Sequence, residues 1–355
     1  MRLTRPMKLM VDPARVPATT GLADQYGRVA HDLRVSLTDR CNLRCVYCMP
    51  RTPDSWQSPD ELLTDDEIVR LVTVAVTRLG ITDVRYTGGE PLLHRGLEAI
   101  IAATARLTTA EGRLPGISIT TNAVGLKHRA GPLAGAGLQR VNVSLDTLDD
   151  ARYAEITQRR RLTSVVEGLD AARRAGLDPI KVNCVPQPAG FRQDAPDLLR
   201  FCLSNGYQLR FIEHMPLGRS VEWDRDAIVT REQLVQALTD AGAELTDATE
   251  ARGAAPAELR RVRFEGLEGE VGIIASVTAP FCRACDRTRL TADGRIRSCL
   301  FGQRETDLRG PLRNGADDEE VARLWRQAMW HKPRAHGIDH GGFAATTRPM
   351  SAIGG

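Results

Sequence analysis

Residues 33–50 read LRVSLTDRCNLRCVYCMP, and the rest of the chain is interpreted outward from this stretch. Leu33, Val35 and Leu37 share one face of an extended segment, while Arg34, Ser36 and Thr38 share the other. That alternation predicts a strand over 32–37 with one polar side. Cys41, Cys45 and Cys48 follow at once, with gaps of three and two residues. Three thiols on one short loop can converge on an iron–sulfur cube, which usually takes four cysteines. Three protein ligands leave one iron open, as a catalytic metal keeps a position for substrate. The alternatives are a zinc loop or a redox pair formed by Cys45 and Cys48. Zinc sites commonly use a gap of two or four residues, no fourth ligand lies nearby, and a redox pair leaves Cys41 without a role.

Beyond this stretch, five more apolar or alternating runs recur at about 82–87, 116–120, 139–145, 179–185 and 208–213. Helical patterns near 64–79, 96–107, 127–135, 162–175 and 194–204 separate most of them. This order predicts βα units around a parallel sheet or barrel. Thr64 with Glu67 forms a capping box at the head of one helix, and Gly80 stops it. Strand phase puts Ser118 and Thr120, Asn142, Ser144 and Asp146, Lys181 and Asn183, and Arg210 and Ile212 opposite the mainly apolar faces. Parallel sheets seldom expose a face to water, so a polar second face predicts a ligand-filled lumen. An open sheet with one solvated face is the alternative.

After about 225 the texture changes. A helix is expected over 230–241, a loop over 244–257, and a hairpin from Leu259–Phe264 and Val271–Val277 around a turn at 266–269. A further helix is expected at 317–330, before a tail ending in Gly354 and Gly355. The division is an irregular segment at 1–31, a barrel at 32–225 and an extension at 226–355. A net charge of +3 over 355 residues argues against a nucleic-acid coat or a membrane surface. No apolar run is long enough to span a bilayer, so a cytoplasmic location is expected. In a reducing cytosol eight cysteines point to metal or thiol chemistry more than to disulfides.

Cys282, Cys285 and Cys299 form a second group of three without an obvious fourth ligand. Arg287 and Arg289 follow on the same phase as Cys285 and make an anion site suited to bidentate phosphate binding. A zinc knuckle with a basic rim is the alternative. The spacing of the histidines, including His331, His336 and His340, matches no ligand pattern, and Cys184 and Cys202 read as core residues.

CxxxCxxC directly after the first strand resembles the signature of the radical S-adenosylmethionine superfamily, and TGGEP at 87–91 resembles its glycine-rich turn. TTN at 120–122, NVSLDTL at 142–148, KVN at 181–183, RFIEHM at 210–215, the second cysteine group and the terminal Gly-Gly extend the resemblance. Together they are similar to the GTP 3′,8-cyclases of molybdenum cofactor biosynthesis. Residues 184–193 (CVPQPAGFRQ) depart from the family's usual turn, so no ligand is assigned there.

The resemblance implies an α/β fold, a partial (β/α)6 barrel closed by a C-terminal extension. It implies two [4Fe–4S] clusters, on Cys41, Cys45 and Cys48 and on Cys282, Cys285 and Cys299, the first of them catalytic with S-adenosyl-L-methionine. It further implies S-adenosylmethionine contacts from Tyr47, Gly88, Gly89, Glu90, Thr120, Asn122, Ser144 and Met215. GTP contacts fall to Arg34, Arg85, Lys181, Arg210, Arg287 and Arg289, and the Gly354–Gly355 tail reaches back towards the active site. The implied partners are GTP, a second copy in a homodimer, an electron donor, and a downstream cyclic pyranopterin monophosphate synthase. The other readings are a two-cluster peptide-modifying maturase and a zinc-stabilised RNA- or protein-binding module.

Overall fold

In the computed structural model the described residues are 20–49, 56–217, 223–247, 253–338, 343, 346 and 348–354. A two-stranded hairpin comes first, β1 (Leu22–Ala23) and β2 (Val29–Ala30), so the described part of the 1–31 segment is not irregular throughout. Six strands follow: β3 (Asp32–Ser36), β4 (Asp83–Thr87), β5 (Gly116–Thr121), β6 (Arg140–Ser144), β7 (Ile180–Cys184) and β8 (Gln208–Ile212). They pair in sequence order, every pair parallel. The helices between them are α1 (Asp65–Arg78), α2 (Leu97–Ala105), α3 (Leu126–Gly135), α4 (Asp150–Thr157), α5 (Leu162–Arg174) and α6 (Phe191–Asn205). Thr64 accepts from Glu67 N at 3.2 Å while Glu67 accepts from Thr64 N at 2.8 Å, so the capping box forms as expected. Helix α4 was not anticipated. It starts on Asp149, whose side chain accepts from Arg152 N at 2.8 Å.

The remaining elements are α7 (Arg231–Asp240), β9 (Glu244–Asp247), β10 (Glu258–Phe264), β11 (Leu267–Ile274), β12 (Arg287–Leu290), β13 (Arg295–Arg297), β14 (Thr306–Asp307), α8 (Arg309–Arg313), α9 (Asp318–Trp330) and α10 (Met350–Ile353). The expected loop at 244–257 therefore begins with a strand, paired antiparallel to β10. The hairpin turn is tighter than expected. Only Glu265 and Gly266 separate the strands, with φ of 51° and 79°. Positive φ at both central residues matches the right-handed twist of the flanking strands.

The sheet does not stop where the composition changes. Strand β11 pairs parallel to β8, and β12 returns to pair parallel to β3. A single sheet of twelve strands results, in the order β14-β13-β12-β3-β4-β5-β6-β7-β8-β11-β10-β9. Helices cover its apolar side, where Leu33, Val35, Ile117, Ile119, Val141, Val143, Val182, Leu209 and Phe211 are fully buried. Cys184 and Cys202 lie in the same core. No helix among the described residues is long and apolar enough to cross a membrane.

Trp325 of α9 joins the returning strand to the barrel. It has no exposed surface, and its Nε1 donates to Thr288 Oγ1 of β12 at 3.0 Å. Trp325→Ala should cost about 3–5 kcal/mol in urea unfolding through the cavity it leaves. Trp325→Phe should keep most of the packing and lose chiefly the hydrogen bond, about 1 kcal/mol.

Candidate active site

Parallel pairing turns strand phase into rows. Arg289, Arg34 and Arg85 occupy matched positions on β12, β3 and β4, followed by Ser118 on β5. One pleat below stand Arg287, Asp32 and Asp83. Towards the carboxyl ends of the strands, Asn142 matches Thr120, and Ser144 matches Asn183, which in turn matches Arg210. Arg210 has room because its neighbour on β11 is Gly272, where a Cβ would meet Arg210 Cγ at 3.1 Å.

Like charges on adjacent strands repel. Asp32 is the carboxylate set among them, with Oδ2 at 3.7 Å from Arg287 Nε and 4.0 Å from Arg85 Nη2. Burial drives the Asp32 carboxyl up, and Arg85, Arg34, Arg287 and Arg289 more than reverse this, leaving it below its ordinary value. Burial, then the charges of Arg85, Arg287 and Arg289, push Arg34 well down. Burial and Arg287 bring Arg289 to about 10. Asp32 Oδ1, Arg34 Nε and Arg287 Nε are buried without a hydrogen-bond partner. Such a cluster is set up for a polyanion.

Both cysteine groups line a single cavity together with Arg34, Arg85, Arg210, Arg287 and Arg289. Gly88, Gly89, Glu90, Thr120, Asn122, Ser144, Tyr47 and Met215 also line it. Lys181 is not in that wall. Its pairing with Asn142 keeps it on the polar side, where burial and then Arg210 and Arg85 bring its ammonium to about 8. Sequence reasoning missed Glu213, His214, Phe281 and His336, all in the cavity wall. His336 reaches it through tertiary folding, which its spacing from the cysteines could not reveal. His340 and Gly355 lie outside the described residues.

The first cysteine loop is knitted to the strand ends. Cys48 N and Met49 N donate to Cys45 O at 2.9 and 3.2 Å, and Leu43 N points at Cys41 Sγ at 3.4 Å. Asn122 Nδ2 donates to Asn42 Oδ1 at 2.7 Å and approaches Cys41 Sγ at 3.7 Å. Tyr47 donates its hydroxyl to Asp146 Oδ2 at 2.8 Å, and Asp146 Oδ1 accepts from Val185 N at 2.8 Å. Asp146 is therefore an anchor of this loop. Glu90 is also internally engaged, accepting from Thr121 Oγ1, Asn122 N and Leu92 N at 2.6, 2.7 and 2.9 Å. Burial pushes its carboxyl up to about 7 against the pull of those donors.

Cys285 departs from the first group's thiols, whereas burial raises Cys282 as it raises them. Burial pushes Cys41 up to about 11 and Cys48 up to about 12, with Cys45 well above its ordinary value. Burial also raises Cys285, but the charges of Lys332 and Arg287 outweigh it and leave that thiol below its ordinary value. Among the described residues no three His, Cys, Asp or Glu side chains close around a single ion. Each trio of soft thiol donors instead opens onto the shared cavity, which fits a polynuclear iron–sulfur group with an accessible face.

The chain's tail enters this region. A backbone N–H of Ser351 points at Cys48, Met350 lines the cavity, and Arg289 Nη1 donates to Gly354 O. Gly354 has φ 76°, and a Cβ there would meet Thr87 Cγ2 at 2.8 Å and Ser36 Cβ at 3.4 Å. Arg348 holds the approach with a bidentate pair to Asp293 at 2.9 and 2.8 Å.

Gly88 and Gly89 show why the turn after β4 needs glycine. A Cβ on Gly89 would lie 2.2 Å from Arg40 O, and one on Gly88, at φ 140°, would lie 2.5 Å from Thr38 O. Gly89 N and Glu90 N donate to Thr38 O and Arg40 O at 2.6 and 2.8 Å, locking this turn to the cysteine loop. Gly89→Ala should push the two loops apart at a cost of about 1–3 kcal/mol. Faster thiol labelling of Cys41, with the rest of the chain folded by circular dichroism, would register that movement.

The radical SAM superfamily model matches residues 35–202, and the Molybdenum Cofactor Synthesis C model matches residues 207–338. SuiB of Streptococcus suis bound to S-adenosylmethionine has a TM-score of 0.53 at 17% identity, over 85% of this chain and 71% of that one. Its complex with precursor peptide SuiA has a TM-score of 0.55 at 16% identity, over 88% and 67%. These likenesses show a shared fold. The GTP 3′,8-cyclase 2 of Mycobacterium tuberculosis is 55% identical over 98% of this chain and 95% of its own length. The GTP 3′,8-cyclase of Mycolicibacterium smegmatis is 56% identical over 96% and 93%, and that of Corynebacterium glutamicum 52% over 94% and 89%. With identity of this order over nearly the full length of both chains, this protein belongs to the GTP 3′,8-cyclase family.

Proposed function

We propose that this chain converts GTP to (8S)-3′,8-cyclo-7,8-dihydroguanosine 5′-triphosphate, the first step of molybdenum cofactor biosynthesis. The observation that carries the reading is one cavity bounded by two cysteine trios with a row of arginines between them. Radical initiation and a highly charged nucleotide substrate need that combination.

In this reading Cys41, Cys45 and Cys48 hold a [4Fe–4S] cluster, and Cys282, Cys285 and Cys299 hold a second. With S-adenosylmethionine bound, the first cluster would supply the radical chemistry that the reaction on the ribose requires. The chain's own residues do the binding and shielding. Gly88 and Gly89 present backbone to the methionine end of the cofactor, while Tyr47, Thr120, Asn122, Ser144 and Met215 surround the rest. Glu90 acts through the turn it braces. Arg34, Arg85, Lys181, Arg210, Arg287 and Arg289 neutralise the triphosphate. Guanidinium groups suit this because their fork matches phosphate oxygens and stays charged. Asp32 offsets the mutual repulsion of the arginines until substrate takes over part of that role. The tail through Gly354 closes that end of the cavity and excludes water.

In this reading the barrel at 32–225 carries the radical-forming cluster together with Arg34, Arg85, Lys181 and Arg210, and the 226–355 extension adds the second cluster with Arg287 and Arg289. A homodimer, an electron donor and a cyclic pyranopterin monophosphate synthase that takes the product complete the setting, in the cytoplasm.

Anaerobically reconstituted protein should contain about eight iron and eight acid-labile sulfide per chain, as two [4Fe–4S] clusters require. Its cleavage of S-adenosylmethionine to 5′-deoxyadenosine should rise on adding GTP. Zinc without sulfide would indicate a binding module, and cleavage indifferent to GTP a peptide maturase. Arg287→Ala or Arg289→Ala should cut GTP-dependent turnover at least about tenfold, as expected for losing a buried charge-assisted hydrogen bond. Iron content should stay near the parent value. Full turnover with unchanged GTP affinity would remove both residues from the substrate site.

A further inference from the structure

Lys332 sits just beyond the C-terminal end of α9 and is 4% exposed. Its Nζ donates to Cys285 O at 2.9 Å and to Arg287 O at 2.8 Å. Among the described residues no ion pair within 4.0 Å joins it to a carboxylate, although Asp286 lies within the reach of its charge. Two neutral carbonyls and the negative end of a helix are modest compensation for a buried ammonium. An anion at this place would complete the compensation.

Arg28 grips the other end of the same turn. Its Nη1 donates to Cys282 O at 2.6 Å and its Nη2 to Pro333 O at 2.7 Å. It differs from Lys332 in having its own carboxylate, Asp24, at 2.5 Å. Two cations from elements remote in sequence therefore hold the carbonyls of Cys282 and Cys285, and only one of them is neutralised. A cube held by three thiolates carries negative charge, which grows when it accepts an electron. A fixed, buried positive charge beside it favours the reduced form.

We propose that Lys332 is a positioning residue that fixes the 282–285 turn and raises the reduction potential of the cluster held by Cys282, Cys285 and Cys299. This rests on the reading above that the second trio binds such a cluster. Arg28 fixes the same turn, with its charge already cancelled by Asp24.

The test is an EPR-monitored redox titration of the full chain carrying Cys41→Ala, Cys45→Ala and Cys48→Ala, so that only the C-terminal cluster is observed. Lys332→Met and Lys332→Arg are compared with that parent, alongside iron per chain. Lys332→Met should shift the one-electron equilibrium at least tenfold towards the oxidised form, a midpoint about 59 mV more negative. Lys332→Arg should stay near the parent. Loss of iron in Lys332→Met with retention in Lys332→Arg would support the same role, since the charge is then needed to hold the cluster. A parental midpoint in Lys332→Met, an equal shift in both variants, or loss of iron from both would overturn the proposal. A parent with no iron, where about four are expected, would instead overturn the two-cluster reading and this inference with it.

Discussion

Arg289, Arg34 and Arg85 stand side by side on three adjacent parallel strands, with Asp32 as the carboxylate set among them. Neighbouring strands lie about 4.8 Å apart, so guanidinium groups in one row repel unless anions come between them. A parallel sheet normally fills both faces with apolar side chains. This one gives up half of that burial to keep a charged lumen. The stability has to come from the other face, where Leu33, Val35, Ile117, Ile119, Val141 and Val143 are sealed under helices.

That constraint explains the path of the C-terminal segment. Strand β12 brings Arg287 and Arg289 to the β3 edge, and β11 extends the β8 edge, so both open sides of the six-stranded core are covered by one returning segment. Covering an edge satisfies backbone groups that would otherwise be free to pair with another chain. It also sets the second cysteine trio across the same cavity as the first. Trp325 and Thr288 anchor the return on the outer side, and the Arg348–Asp293 pair guides the tail back to Arg289 on the inner side.

The two cysteine loops are built differently. The first is tied by short-range backbone bonds and by neighbouring strand ends: Gly89 to Thr38, Glu90 to Arg40, Asn122 to Asn42 and Tyr47 to Asp146. Its thiols lie in low-dielectric surroundings that resist ionisation without a metal. The second is held by cations, Arg28 on Cys282 and Lys332 on Cys285. Its electrostatic setting therefore depends on chain segments far apart in sequence.

Strands, most helices and the phase of the polar face were legible in the sequence because they depend on local periodicity. Residues two apart share a strand face wherever the strand sits. The cysteine spacings and the glycine-rich turn were legible for the same reason, since a loop of a few residues brings its own thiols together. The contiguous sheet across residue 225, the pairing of β12 with β3, and the tight Glu265–Gly266 turn were not. Nor were the roles of Asp32 and Lys332. These depend on strand order and on contacts between remote segments, such as Arg28 with Cys282 and Pro333, 254 and 305 residues away. A one-dimensional pattern carries no record of which edge a strand will choose. Local chemistry determined the parts, and only the tertiary fold decided that one cavity would hold both cysteine groups, because closing a sheet edge is a long-range choice.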